Sequence, residues 1–376
     1  MSGLPGIVND HEITVGLSVS TSGRFQLQGQ QALNGILLWQ SYANAQGGIV
    51  VEGTSRHIRL IWYDDESRSR RTRENVLRHL RDDQVDILLG PYSSNLTMAA
   101  AEVAEEHKKV HWNYGGASDE IFDRGWQYIV ATSSPASDYF RAFPRWLATE
   151  YPQLRRICIL YSAIGTFGKQ INRGLTEVTR EAEHSVDSIP IDPSLKNSNA
   201  TLSVLRRISP EAVVLAFGFE DELAIIRTRS QWPSSVRAIA AVAAGVAHFG
   251  RQLGRASEGV IGPSQWEPTM NFPAILGPAS AWFINKYKEQ FGTGPDYVAA
   301  ASFATGLIVS ECIRRSDSLD SNRLRCVASE LECNTFYGNF RIDPYAGKQL
   351  GHRTRLVRWQ QGGKILLPAH VVHEES

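Results

Sequence analysis

Residues 13–45, ITVGLSVSTSGRFQLQGQQALNGILLWQSYANA, begin with a short apolar run and continue into a segment of helical periodicity. The run Ile13–Val19 predicts a strand, and Gly29–Ala45 predicts an amphipathic helix because its apolar residues recur three and four positions apart. The same order returns in the strands predicted at Arg59–Tyr63 and Val85–Leu89, each followed by a helix, the second over Thr97–Glu106. This alternation predicts a parallel sheet with helices on both faces.

A second series of the same kind starts after Pro152. Strands are predicted at Ile157–Tyr161, Ala212–Phe217 and Val236–Ala240, with helices near 168–184, 199–208 and 220–231 between and after them. The C-terminal part differs, because two long helices, Pro278–Phe291 and Tyr297–Arg314, precede three short strands in GNFRID, RLVRWQ and KILL. We therefore expect two α/β lobes, the first holding 10–133 plus 262–334 and the second 134–261 plus 335–376.

The composition is that of a globular α/β protein. Of 376 residues, 42% are hydrophobic and 21% charged, and the 39 basic residues balance the 39 acidic ones. A zero net charge argues against a nucleic-acid partner, and the basic segment Arg68–Arg81 fits a solvated helix face. No apolar run is long enough to predict a membrane span, so no membrane insertion is expected.

The N-terminus and the cysteines leave the compartment open. The stretch MSGLPGIVNDHEITVG has neither a basic start nor an apolar core, so no signal peptide is visible, and either a leader has been removed or the protein is cytoplasmic. The four cysteines have no zinc-ligand spacing; Cys158 is expected in the core, and the disulfide state of Cys312, Cys326 and Cys333 stays undetermined.

Motifs for catalysis, metals and cofactors are missing. The chain has no nucleophile elbow, no HExxH helix and no phosphate-binding glycine motif, so we expect no enzyme activity, no metal and no cofactor. The acidic cluster Asp64-Asp65-Glu66 is expected to stabilise a turn or helix start rather than to act as a catalytic pair.

Four loops that follow predicted strands carry hydroxyls, glycines and backbone N–H groups. Such groups are suited to binding a carboxylate or an amide, although in any single loop they equally serve to cap the next helix. Because ligands of open α/β sheets bind beyond the carboxyl ends of the strands, the four together favour a ligand cleft. The loops are Ser20–Gly23, Gly90–Asn95, Asn113–Asp119 and Ser162–Gly168.

Five stretches together resemble the leucine/isoleucine/valine-binding group of the type I periplasmic binding proteins. They are the opening segment through Trp39, NAQGGIVVEGTSRHIRLIWYDDES, VDILLGPYSS, FGTGPDYVAAASFATGLIVSECI, and YGNFRIDPYAG with VRWQQGGK. The resemblance implies two doubly wound parallel-sheet lobes joined by a three-crossover hinge, with a solute trapped between the lobes.

The resemblance also implies which residues bind the solute. The family's ligand-contacting serine falls on Ser94, and Tyr92 lies in the same loop. The backbone loop for the carboxylate falls on Gly115, Gly116 and Ala117, with Ser118 next to it. Aromatic contacts from the second lobe fall on Phe167 and Phe219, and the first-loop tyrosine of the family is Gln28 here.

One position departs from the amino-acid binders of the family. Their acidic residue for the α-ammonium group falls near Val242, within RAIAAVAAGVAHFG. A buried ammonium without a carboxylate is costly, which disfavours free α-amino acids as ligands. The alternative is that Glu220, Asp221 or Asp119 supplies the carboxylate from a neighbouring position.

Two functions follow from the resemblance. The first is the solute-binding subunit of an ABC-type importer, which takes a small carboxylate- or amide-bearing solute, aromatic or like a branched-chain amino acid, and has ABC permease subunits as partners in the periplasm. The alternative is a cytoplasmic sensor of amide-type small molecules that regulates a partner protein. An enzyme is the third and least favoured reading.

Overall fold

The computed structural model describes residues 12–192 and 198–368, and the N-terminal stretch examined for a leader lies largely outside them. The strands are β1 (Glu12–Val19), β2 (Ile49–Val51), β3 (Thr54–Asp64), β4 (Ile87–Leu89), β5 (His111–Asn113), β6 (Ile129–Ala131), β7 (Arg156–Ser162), β8 (Ser185–Ile191), β9 (Ala212–Ala216), β10 (Ala238–Ala241), β11 (Ile261–Ser264), β12 (Cys333–Thr335), β13 (Gly338–Phe340), β14 (Arg355–Gln360) and β15 (Gly363–Leu366). The helices are α1 (Gln26–Ala45), α2 (Ser69–Arg81), α3 (Ser94–Glu106), α4 (Glu120–Asp123), α5 (Phe143–Glu150), α6 (Phe167–Glu181), α7 (Ser198–Ile208), α8 (Phe219–Arg227), α9 (Ala247–Leu253), α10 (Ser280–Phe291), α11 (Tyr297–Ser316) and α12 (Ser321–Glu330).

The first sheet has the strand order β2-β3-β1-β4-β5-β6. Its neighbouring strands are parallel, except that β2 and β3 form an antiparallel hairpin. β1 is central, and its apolar residues Val15, Leu17 and Val19 are fully buried because helices cover both faces of a parallel sheet.

Helices α1 and α11, which cover this sheet, pack closely against each other. Gly306 allows the approach, because a Cβ there would overlap the indole of Trp39. The Trp39 Nε1–H donates to Ser310 Oγ at 3.0 Å, and Ser302 Oγ donates to the carbonyl of Ala32 at 3.0 Å. Among the described helices, α11 is long and apolar enough to pass a membrane-span test, but 83% of the relevant window is buried in the protein, as in a core helix.

The second sheet has the order β15-β14-β11-β10-β9-β7-β8. The run ICILY on β7 shows why it is covered on both faces, since Ile157 and Ile159 pack into one apolar cluster while Cys158 and Leu160 pack into another. The strands from β8 to β11 are parallel to their neighbours, whereas β14 and β15 are added antiparallel. Both sheets thus confirm the predicted α/β class and doubly wound architecture.

Cα packing groups residues 1–116, 121–133 and 271–352 into one unit and 117–120, 134–270 and 353–376 into another. Apart from residues 117–120, the chain passes from unit to unit three times. The later two passages follow residues 270 and 352, whereas the sequence analysis placed them after 261 and 334. The difference has two causes: β11 is hydrogen-bonded between β10 and β14, and residues 335–352 return to β6, where Gly347 O accepts the N–H of Ala131 at 2.9 Å.

Several elements differ from the sequence-based expectation. Strands β2, β6, β8 and β11 were not predicted. β2, β6 and β11 have only three or four residues, too few to show a period, and β8 mixes polar and apolar residues. Helix α12 ends at Glu330, and Cys333 starts β12. The four cysteines are free thiols, and Cys158 is buried as predicted.

Candidate functional site

The first sheet reverses its strand order between β1 and β4. The chain adds β3 on one side of β1 and then crosses to add β4 on the other side, so the loops after β1 and β4 diverge from a topological switch point. Open α/β sheets bind ligands at such points. Gln28, in the first turn of α1, and Tyr92 and Ser94, after β4, are therefore placed at this edge.

The loop after β4 lies against the loop after β5. Tyr92 and Gly115 form a parallel β-bridge, and Ser93, the N-cap of α3 at φ +85°, donates its N–H to the Gly115 carbonyl at 3.2 Å. Ser94 is the half-buried first residue of α3. A Cβ on Gly115 would lie 2.7 Å from the Tyr92 Cα, so this close approach requires glycine. The structure thus brings Tyr92, Ser94 and Gly115 together.

Tyr92 belongs to an aromatic cluster at the same edge. Its ring meets Phe25, from the loop after β1, edge-on at a centroid distance of 5.8 Å. Its hydroxyl lies 3.2 Å from that of Tyr297, the first residue of α11. Burial raises the pKa of Tyr92, so its phenol is neutral and able to donate a hydrogen bond. Phe25 and Tyr297 were missed because single aromatics next to polar loop residues carry no periodic signal.

The N–H groups of Gly115 and Gly116 are not arranged as expected. Both donate to Oδ1 of Asn113, at 3.1 and 2.7 Å, and Nδ2 of Asn113 donates back to the Gly116 carbonyl at 2.8 Å. An asparagine commonly closes such a turn on its own backbone. The expectation that these two N–H groups hold the ligand carboxylate is therefore corrected, because Asn113 already occupies them.

Ala117 and Ser118 belong to the second unit rather than to the first. The Ala117 carbonyl accepts the N–H of Ala136 at 2.6 Å, and the Ser118 hydroxyl lies 2.8 Å from that of Thr166. Both residues are buried. The segment treated as one ligand loop is thus divided after Gly116.

The second sheet has its own switch point, between β7 and β9. Phe167 starts α6 directly after β7, and Phe219 starts α8 after β9. Val242 follows β10, so three adjacent strands present these three residues at one sheet edge. Both phenylalanines are half-buried: Phe167 meets Tyr139 edge-on at 5.5 Å, and Phe219 lies 5.7 Å from the His248 ring.

Glu222 is a buried carboxylate that the sequence analysis missed. It is fully buried in α8 and accepts the N–H groups of Phe217 at 2.8 Å and Ala243 at 2.6 Å. Burial raises its pKa to about 8, and the backbone N–H groups, including that of Val242, oppose the shift. One side chain thus connects the ends of β9 and β10. The only signal in the sequence was an acidic run, FEDE, at a predicted helix start.

The other carboxylates considered near Val242 have different surroundings. Glu220 is exposed at the start of α8, and Asp221 is beside it. Asp119 accepts both the N–H and the hydroxyl of Ser137, at 3.0 and 2.7 Å.

The acidic cluster after β3 stabilises the loop after β1. Asp65 is fully buried and accepts the Ser20 hydroxyl at 2.5 Å and the Ser67 N–H at 2.8 Å, and burial raises its pKa. Asp64 accepts the Thr21 N–H at 3.0 Å and the Ser22 hydroxyl at 2.7 Å. The cluster is a turn-stabilising element, as expected. Within the described residues, no group of acidic, histidine and cysteine side chains is arranged to hold a metal.

A family model described as a periplasmic binding protein matches residues 12–364. The chain belongs to this family. Its members are solute-binding proteins rather than enzymes, and the resemblance to the type I group is confirmed together with the fold.

Solved structures of other periplasmic binding proteins share the architecture at low sequence identity. A leucine-binding protein from Thermotoga maritima has a TM-score of 0.81 at 16% identity, over 95% of this chain and 98% of that one. A branched-chain amino-acid transporter substrate-binding protein from Streptococcus pneumoniae, in complex with isoleucine, has a TM-score of 0.78 at 15% identity, over 94% of this chain and 97% of that one. An ABC transporter solute-binding protein from Rhodopseudomonas palustris, in complex with 3,4-dihydroxybenzoic acid, has a TM-score of 0.79 at 18% identity, over 95% of this chain and 97% of that one.

Proposed function

We propose that this periplasmic binding protein is the solute-binding subunit of an ABC-type importer and that its solute is a small aromatic carboxylate or amide. In this proposal Tyr92 and Ser94 contact the polar group of the solute, while Phe167 and Phe219 contact its apolar part. Gln28 contributes from the first turn of α1. An ABC permease is the proposed partner, and the periplasm the proposed compartment.

The observation that carries the ligand class is the composition of the edge formed by β7, β9 and β10. It presents two phenylalanines and Val242, and the side chain of Glu222, which reaches the turn after β10, is fully buried and accepts backbone N–H groups. An α-ammonium group would need a carboxylate partner there, whereas an aromatic ring needs apolar contact. Both ligand classes occur among the structural neighbours, as isoleucine in one and a dihydroxybenzoic acid in another.

A thermal-shift panel tests the ligand class. Benzoate, phenylacetate and benzamide are compared with leucine, isoleucine and valine. A ligand at a hundred times its Kd adds about 2.7 kcal/mol of stability, which corresponds to roughly 5–10 °C in a unit of this size. We expect a shift of this order for an aromatic acid or amide and none for the amino acids. Stabilisation by leucine, isoleucine or valine alone would contradict the proposed ligand class.

Three variants test the assignment of the site. Ser94→Ala and Phe219→Ala are expected to weaken binding of the stabilising ligand at least about tenfold, as one well-placed contact supplies about 1.4 kcal/mol. Ser41→Ala, at an exposed position in the last turns of α1, serves as the control and should bind like the parent protein. Unchanged affinity in both site variants would show that the solute binds elsewhere.

The importer role is tested with the permease in proteoliposomes. The loaded binding protein should stimulate ATP hydrolysis more than the ligand-free protein does. The transport proteins among the structural neighbours favour this role over a cytoplasmic sensor. A failure of the loaded protein to stimulate its permease would argue for the sensor.

A further inference from the structure

We propose that Arg24 binds the carboxylate of the solute; this assignment rests on the proposed function and adds to it a cationic contact. Arg24 lies in the loop between β1 and α1, at the switch point of the first sheet. A carboxylate bound at this edge needs a partner other than the N–H groups of Gly115 and Gly116, since Asn113 occupies both.

Arg24 has no acidic partner among the residues that the structure describes. Arg68, Arg71 and Arg73, by contrast, pair with glutamates. The guanidinium of Arg24 lies over the ring of Phe25, 5.5 Å from its centroid. Arg24 is thus an exposed cation without a salt bridge, held next to an aromatic ring.

The backbone around Arg24 is fixed by hydrogen bonds. The Phe25 N–H donates to Ser67 Oγ at 2.9 Å, and that hydroxyl donates to the Ser22 carbonyl at 2.9 Å. Gly23 adopts φ +78°, and a Cβ there would lie 2.6 Å from the Glu66 carbonyl oxygen. A loop held at both sides of Arg24 presents the guanidinium with little loss of backbone entropy on binding.

Arg24 and two helix N-termini supply the positive charge of this edge. Helices α1 and α3 both begin here, and neither has an acidic residue in its first turn. The guanidinium of Arg24 and the ring of Tyr92 both lie against the Phe25 ring. Burial raises the pKa of Tyr92, and the charge of Arg24 opposes this shift. The opposing charges at this edge are Asp296, whose carboxylate caps α11 by accepting the Tyr297 N–H at 2.9 Å, and Asp64 and Asp65, which accept hydrogen bonds from the loop after β1. The guanidinium and the phenol are the two donors that we assign to the carboxylate.

Isothermal titration with benzoate and with its neutral analogue benzamide tests the assignment. Arg24→Gln is expected to lower the affinity for benzoate at least about tenfold and the affinity for benzamide less than about twofold, because only the anion interacts with the positive charge. Arg24→Lys keeps the charge and should retain most of the benzoate affinity. In the parent protein the Kd for benzoate should rise with salt, and this dependence should disappear in Arg24→Gln.

The control is Arg70→Gln, which removes an exposed arginine of α2 and should leave both affinities unchanged. Equal weakening of benzoate and benzamide in Arg24→Gln, or no weakening, would overturn the assignment while leaving the proposed function intact. If the parent protein binds leucine rather than benzoate, the proposed aromatic ligand class is wrong. A tenfold loss of leucine affinity in Arg24→Gln would then still support the assignment of Arg24 to the carboxylate. If the parent protein binds no carboxylate in the panel, both fail.

Discussion

Glu222 offers the sharpest test of the energetics of this fold. Replacing it by alanine removes the acceptor for the N–H groups of Phe217 and Ala243 in the core of the second unit. Each buried N–H left without a partner costs about 1–3 kcal/mol, so Glu222→Ala should lower the free energy of unfolding by about 2–6 kcal/mol. Urea unfolding at pH 7, followed by circular dichroism, measures the loss.

The same residue should make stability depend on pH. Its pKa is about 8 in the folded protein and 4.5 ordinarily, so the unfolded chain releases this proton first as the pH rises. The stabilisation is complete below pH 4.5 and is lost as the pH rises to about 8, by up to about 5 kcal/mol. Glu222→Gln has no proton to release, and the stability difference between it and the parent protein should shift by this amount over the range.

The comparison of variants cancels the other titrating groups. Asp221→Asn, at the neighbouring position on α8, is the matched control and should retain the pH dependence of the parent protein. Parallel pH profiles of the parent protein and Glu222→Gln would refute the raised pKa. A loss below about 1 kcal/mol in Glu222→Ala would refute the role of its carboxylate in satisfying the backbone.

Three further predictions concern the first unit. His111 is fully buried, and burial lowers its pKa to about 4. As the pH falls, the unfolded chain therefore takes up this proton first, and the free energy of unfolding should fall by up to about 3 kcal/mol between pH 6.5 and 4. His111→Gln should remove this fall, as measured by urea unfolding. Gly306→Ala should cost about 1–3 kcal/mol, because its Cβ overlaps Trp39, whereas Gly294→Ala, where a Cβ meets nothing closer than 3.9 Å, should be nearly neutral by thermal melting. Asn113→Ala removes three hydrogen bonds and should lower the free energy of unfolding by about 2–4 kcal/mol. Unchanged stability would show that solvent replaces these bonds.

The fold class followed from local patterns because burial on both faces imposes its own composition. The run ICILY on β7 is apolar at every position since alternate residues enter different clusters. The long amphipathic segments likewise became α1, α6 and α11 at nearly the predicted bounds. Strand β2, by contrast, is three residues long and is stabilised by pairing with β3, a contact that no local period reports.

The positions of the candidate residues at strand ends were also predictable. Ser94, Phe167 and Phe219 each start a helix directly after a strand, and a strand followed by a helix can be recognised from the chain itself. Their proposed roles in binding depend on the resemblance and on the experiments above.

The sequence by itself thus determined most of the longer strands and helices and the loops that follow them, because those choices depend on residues a few positions apart. Only the tertiary structure decided which polar groups are already occupied. Asn113 takes the N–H groups of Gly115 and Gly116, and Glu222 reaches from α8 to the turn after β10, about twenty residues away in the chain. A hydrogen bond requires a narrow range of distances and angles, and each backbone N–H has one hydrogen to donate. Which acceptor an N–H group binds therefore depends on how strands and loops are brought together in space.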